Sequence, residues 1–285
     1  MGQPALTIAM RAAMALAEPS TQLPISVPRW DIIGVSVLAG RSDDVIGELD
    51  TRLAAGEYLK LTYLNAHASN LAGRDSGFFS LLQRFTVLND GVGLDIAARM
   101  LNGKSFPENL NGTDFTLRFL RTTKHQFRIF LLGAKPGVAE DAATVIEALL
   151  PQHQVVGTRD GYFVAAGADD VVNEIRSSGA DLLLVAMGNP GQEYWIDTHL
   201  EGTGCRIAMG VGALFDFLSE RVPRAPLAVR QMRMEWAFRL ALEPGRLWRR
   251  YLIGNPLFLA RVARELPRRR GNGHGAAAQE LRRKT

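Results

Sequence analysis

From about Trp30 to Met209 the chain alternates short apolar runs with stretches of helical character, and this alternation constrains the fold more than any other feature. The runs 32–37, 59–64, 85–88, 127–132, 154–156, 181–185 and 206–209 read as strands. The intervening segments 43–55, 68–74, 94–101, 113–122, 138–150, 171–178 and 195–200 read as helices; in the first, Val45, Ile46, Leu49 and Leu53 share one face. Strands alternating with helices specify βαβ units. Near-continuous apolar strands such as Leu182–Val185 specify a parallel sheet covered on both faces. The expected class is α/β. In open sheets of this kind ligands lie beyond the carboxyl ends of the strands. Three strands of the second half end in glycine, at Gly133, Gly188 and Gly210.

After Pro223 the pattern changes. Helices are expected over 227–242 and 246–253, broken by Glu243-Pro244-Gly245 and carrying Trp236, Trp248 and Tyr251. From Arg221 to Arg270 there are 13 Arg and no Lys against three acids, Glu235, Glu243 and Glu265, so the rest of the chain is net acidic. Such an end is either a solvated helical face or a partner for anions: nucleic acid, phospholipid headgroups or a pyrophosphate. The expected organisation is a disordered leader over 1–27, an α/β catalytic domain over 28–222, an arginine-rich helical appendage over 223–267 and a disordered tail over 268–285. No apolar run approaches the ~20 residues of a membrane span. A lone cysteine, Cys205, leaves no internal disulfide framework and fits a reducing compartment.

Gly133-Ala134-Lys135-Pro136-Gly137 joins a strand to a helix with small residues, which suits a nucleotide diphosphate or a plain turn. Asp90, in Asn89-Asp90-Gly91, is either a general base at a strand end or a turn residue. Gln192 and Glu193 follow the turn Gly188-Asn189-Pro190-Gly191 and are both candidate substrate-binding residues; Gln192 suits a sugar hydroxyl or phosphate, while Asn189 or Glu193 equally suits a helix cap. The five histidines show no ligand spacing, so no metal site is expected.

In order and spacing, these segments resemble the WecG/TagA/CpsF family of bacterial glycosyltransferases (glycosyltransferase family 26), from about Trp30 to Leu259. Its markers here are Leu64-Asn65-Ala66-His67, Asn89-Asp90-Gly91-Val92-Gly93, Leu132 to Gly137, and Gly157 to Phe163. They continue through Gly188 to Glu193, Gly210-Val211-Gly212, Phe215-Asp216-Phe217, Arg224-Ala225-Pro226 and the stretch Glu235 to Tyr251. The resemblance implies a Rossmann-like parallel sheet flanked by helices, with a helical C-terminal appendage. It implies inverting transfer of a hexose from a UDP-sugar to a polyprenyl-diphosphate-linked sugar, without metal or other cofactor. It further implies that Asp90 is the general base and Gln192 a substrate ligand. Arginines of the appendage, matched by Arg239, Arg246 and Arg249, would contact diphosphate or membrane. The enzyme would be cytoplasmic, held peripherally at the inner face of the cell membrane, with a homo-oligomer left open.

Two positions depart from the family pattern. Tyr63 stands where many members carry Thr, two residues before Asn65, and Asn109 stands where many carry Arg. Both lie near the family's sugar pocket, which argues for a hexose other than N-acetylmannosamine, with glucose of exopolysaccharide assembly the closer match; the donor expected is glucose, N-acetylmannosamine or a similar hexose. Two other classes of function compete: a nucleotide-sugar-binding module without catalysis, and a nucleic-acid-binding protein using the basic end, with salt-sensitive binding.

Overall fold

The computed structural model describes residues 26–163, 167–226, 228–229 and 234–267. Among them, eight strands form one sheet in the order β1-β2-β4-β3-β8-β7-β5-β6. These are β1 (Arg29–Ile32), β2 (Val35–Leu38), β3 (Leu59–Leu64), β4 (Thr86–Asn89), β5 (Arg128–Gly133), β6 (Gln154–Arg159), β7 (Leu182–Ala186) and β8 (Ile207–Gly210). All neighbours pair in parallel except β1 with β2. The fold is α/β with a Rossmann-like sheet.

The single strand expected over 32–37 is instead this antiparallel hairpin. Ile33 and Gly34 both take positive φ, 51° and 82°, the two-residue turn whose twist matches paired strands. Beyond it the expected alternation holds. The sheet is doubly wound, and side chains of alternate strand positions enter two cores. Phe130, Leu132, Leu183 and Val185 enter one; Ile129, Leu131, Leu182 and Leu184 enter the other.

Helices α1 (Ser42–Ala54), α2 (Ala66–Ala72), α3 (Ser76–Leu82), α4 (Val92–Asn102) and α5 (Gly112–Thr122) belong to the first half. Helices α6 (Val138–Leu149), α7 (Ala168–Ser178), α8 (Gly191–Thr203) and α9 (Leu214–Leu218) belong to the second. Helix α3 had no counterpart in the expectation. Asp75 starts it by accepting the Phe78 amide at 3.1 Å, and Phe78, Leu81 and Leu82 bury its inner face. Strand β6 runs three residues beyond its apolar pattern. Among the described residues only β5 pairs with it, and Gly157 leaves room for the Phe130 ring, which a Cβ would meet at 2.4 Å.

The leader and tail expectations lie outside the described residues, except that Ser26 and Val27 are described. Val27 corrects the leader boundary. It is buried in a core, and its amide donates to Glu48 at 2.8 Å. At the other end, α10 (Glu235–Leu242) and α11 (Pro244–Trp248) pass through a π-helical turn, Arg249–Ile253, into a helix over 254–267. That last helix is part of the body. Phe258 and Val262 are fully buried, Asn70 donates to the Gly254 carbonyl at 2.7 Å, and Arg261 donates to the Ser69 carbonyl at 2.7 Å. Helix α10, by contrast, buries no side chain. No helix among the described residues is long and apolar enough to cross a membrane.

Candidate active site

The sheet places the site. Helix α2 leaves β3 toward one core and α9 leaves the neighbouring β8 toward the other, so a crevice opens at their carboxyl ends. A cleft of about 970 Å³ occupies it, and the appendage residues Trp236, Arg239, Arg246 and Arg250 complete its lining.

Asp90 lines this cleft at the tip of β4. Its amide donates to the Leu64 carbonyl at 2.8 Å, which ties the turn to β3. Asn65 works in two directions: its carbonyl oxygen accepts the Ala68 amide at 3.0 Å and caps α2, and its amide donates to Asp90 Oδ2 at 3.1 Å. Asn109 donates nothing to Asp90; its oxygen accepts the Gly91 amide at 2.9 Å, where the chain takes a φ of 88°. Burial raises the proton affinity of Asp90 above that of an ordinary aspartate, and Asp114 adds to the effect. The Asn65 hydrogen bond, Arg250 and Arg239 pull the other way. A carboxylate with raised proton affinity in a cleft, held by a neighbour's amide, suits a general base.

Gln192 is 2% exposed and acts as a staple. Its oxygen accepts the Gly188 amide at 3.2 Å and the Gly212 amide at 3.1 Å, joining the turns after β7 and β8. Gly210 must be glycine for this, because a Cβ would lie 2.7 Å from Gln192 Nε2. Glu193 does not line the cleft. It is fully buried behind Gln192, and its Oε1 accepts from Thr62 at 2.6 Å, Asn189 at 2.6 Å and Gln192 at 2.8 Å. Neither Asn189 nor Glu193 caps α8, for which no side-chain cap forms. Gly133 also stands behind the cleft, its Cα packed so closely on Ala186 that a Cβ would fall 2.5 Å from that residue's backbone. Ala134 and Lys135 take the lining position instead.

Tyr63 lies on the cleft floor with its ring mostly covered and its hydroxyl 2.9 Å from Thr116 Oγ1. Burial keeps that phenol protonated. Of the three appendage arginines that the family resemblance singled out, Arg239 and Arg246 line the cleft. Arg249 does not; its guanidinium sits over the Trp248 ring at 5.3 Å. The next residue, Arg250, lines the cleft in its place. Trp236 and Tyr251 pack against each other at 5.9 Å and face the cleft, whereas Trp248 is 41% exposed.

Sequence reasoning passed over other lining residues. His67 stood inside a marker segment, yet only the fold brings it beside Arg250. Burial, Arg250 and Arg74 lower its pKa to about 4, so the imidazole is neutral at pH 7. Asp114 opens α5 and pairs with Arg224. Glu235 enters from the appendage. No group of three or more metal-ligating side chains occurs among the described residues.

Fold and cleft place the protein among α/β enzymes that hold ligands across the carboxyl ends of a doubly wound sheet. Residues 30–272 match the family model for the glycosyl transferase WecG/TagA/CpsF family, and the chain belongs to that family. It is therefore an enzyme, a hexosyltransferase, and the non-catalytic binding module falls away. Similar proteins include the N-acetylglucosaminyldiphosphoundecaprenol N-acetyl-beta-D-mannosaminyltransferase of Bacillus subtilis (strain 168). It is 29% identical over 207 residues, 72% of this chain and 79% of that protein. The transferase of the same name from Bacillus spizizenii is 30% identical over 167 residues, 58% of this chain and 63% of its own.

Proposed function

We propose that the enzyme transfers a hexose, with inversion, from a UDP-sugar to a sugar carried on a polyprenyl diphosphate, in cell-surface or exopolysaccharide synthesis. The observation that carries this is Asp90, a half-buried carboxylate with raised proton affinity at a strand tip in an arginine-rimmed cleft. The acceptor hydroxyl gives its proton to Asp90 as its oxygen bonds to the anomeric carbon. The bond from that carbon to the UDP oxygen breaks, and UDP leaves with the electron pair. Arg239, Arg246, Arg250 and Lys135 meet the charge that develops on the diphosphate. This arrangement supports transfer without a metal ion.

The names of the Bacillus relatives support a diphosphoundecaprenol-linked acceptor. Tyr63 supports a hexose other than N-acetylmannosamine, with glucose first among donors. Its ring closes the floor against Gly112, where a Cβ would meet it at 3.2 Å, and Asn109 spends its oxygen on Gly91. Peripheral docking at the inner face of the cytoplasmic membrane is supported by Trp248, Leu252 and Ile253, which are exposed beside arginines. Each basic residue near anionic lipid contributes about 1 kcal/mol. Nucleic-acid binding is disfavoured, because Arg239, Arg246 and Arg250 turn into the cleft and Arg261 is tied to α2.

The test is UDP release from a panel of UDP-hexoses, with and without a short polyprenyl-diphosphate-sugar acceptor, in the presence and absence of EDTA. Acceptor-dependent release that survives EDTA is expected. Silence with every donor overturns the reading, and loss in EDTA overturns metal independence.

A further inference from the structure

Asp90 shares its cleft with a second carboxylate from a different part of the chain. Glu235 is the first residue of α10 and lines the cleft from the appendage, whereas Asp90 comes from the sheet. Asp114 on α5 and Arg239 on α10 act on both, and the charge of Asp90 raises the proton affinity of Glu235.

What distinguishes Glu235 is that no described residue donates a hydrogen bond to it. Its carboxylate makes no hydrogen bond or ion pair among the described residues. Arg224, the cation that acts on it most strongly, is already paired with Asp114, and the Arg239 guanidinium lies over the Phe217 ring at 5.3 Å. Helix α10 buries no side chain, so Glu235 does not serve packing. A carboxylate partly screened from water and given no donor by its neighbours is left to be satisfied by solvent or ligand. Donors supplied by a ligand meet that need. A pyranose offers them as neighbouring hydroxyls, and hydrogen bonds from hydroxyls to a carboxylate are among the stronger neutral-to-charged contacts.

We infer that Glu235 is a sugar-binding residue, whose carboxylate accepts hydroxyl hydrogens of a neutral pyranose held in the cleft with Asp90. This rests on the transferase reading. It makes the appendage part of the sugar site: a bound sugar links α10 to the strand tips, and the pyranose is either the transferred hexose or the acceptor's sugar.

Affinities of UDP and of the active UDP-hexose are measured by calorimetry for the wild type, Glu235→Gln and Glu235→Ala, with steady-state kinetics in both substrates. UDP affinity and the melting temperature are expected to stay at wild-type values in both variants. Loss of a charge-assisted hydrogen bond is worth about tenfold or more. That factor appears in UDP-hexose affinity if Glu235 holds the transferred sugar, and in the acceptor KM if it holds the other. Donor analogues lacking single hydroxyls identify the contact: one of them loses the same factor on the wild type and nothing further on Glu235→Ala.

The pH profile reports separately whether the Glu235 charge reaches Asp90 in the working enzyme. Removing a like charge near Asp90, while Asp114, Arg224, Arg239 and Arg250 remain, shifts the acid limb of kcat/KM to lower pH in Glu235→Gln. Unchanged sugar affinity and unchanged KM for both substrates overturn the inference while leaving the transferase reading intact. Wild-type protein that binds no UDP-sugar and releases no UDP overturns both.

Discussion

The side-chain amide of Asn65 donates to Asp90 Oδ2 at 3.1 Å, while its oxygen caps helix α2 through the Ala68 amide at 3.0 Å. One residue thus fixes the start of a helix after β3 and the orientation of a carboxylate after β4. The proposed base is aimed by the neighbouring strand, which is why two segments 25 residues apart act as one unit.

Asp90→Asn keeps the shape of the side chain and removes its basicity. Transfer is expected to fall by about a hundredfold or more, the range for loss of a general base, with UDP affinity and melting temperature retained. In the wild type the base works only when ionised. Because burial raises its proton affinity, kcat/KM falls with acidity at a pH above the ordinary aspartate value of about 3.9. Near-normal turnover in the variant would remove Asp90 from the mechanism.

Arg250 and Arg249 give a paired test of the appendage. Arg250 lines the cleft and stabilises the ionised form of Asp90, whereas Arg249 lies over Trp248. Arg250→Ala is expected to lower kcat/KM by about tenfold or more, the worth of one charged hydrogen bond, and to move the acid limb to higher pH. Arg249→Ala should leave both near wild type in a detergent-solubilised assay. Equal losses, or no shift of the limb in Arg250→Ala, would contradict the placement.

The sheet and its glycine turns were legible because period and punctuation are local properties. Strand β3 was bounded to the residue, since leucines recur at 59, 61 and 64 and the run ends at a capping asparagine. The C-terminal arginines were legible as a charged set but not individually. Adjacent helical residues point about 100° apart, and a π-turn at Arg249–Ile253 shifts the phase again, so matching to the family's arginines favoured Arg249 over Arg250. Helix α3 carried a readable signal, Asp75 before Phe78, Leu81 and Leu82, lost in the short interval between strands. Glu193 looked like a ligand because it follows Gln192 at a strand tip. Only the fold shows Thr62 of β3 behind it.

Gly210→Ala tests the staple between the turns after β7 and β8. The new Cβ would lie 2.7 Å from Gln192 Nε2, so Gln192 must move and release the amides of Gly188 and Gly212. Overpacking of this kind costs about 1–3 kcal/mol. The variant should melt several degrees lower and lose sugar transfer more than it loses stability, since both released turns line the cleft. Wild-type kinetics with a lowered melting point would confine Gln192 to a structural part.

Glu193 ties protonation to folding. Burial raises its proton affinity, against hydrogen bonds from Thr62, Gln192 and Asn189 that favour the charge, and Oε2 has no partner. A carboxyl group whose folded pKa lies above its unfolded value contributes stability that is fully present below the unfolded value and is lost as pH rises through the folded one. Glu193→Gln keeps an oxygen for the three donors and does not titrate. The melting temperature of the wild type should therefore decline relative to Glu193→Gln as pH rises above about 4.3, the ordinary glutamate value, and level off once the folded carboxyl is ionised. The comparison needs only thermal melts of both proteins across that range. A difference that stays constant with pH would mean that Glu193 carries its charge in the folded and unfolded chain alike.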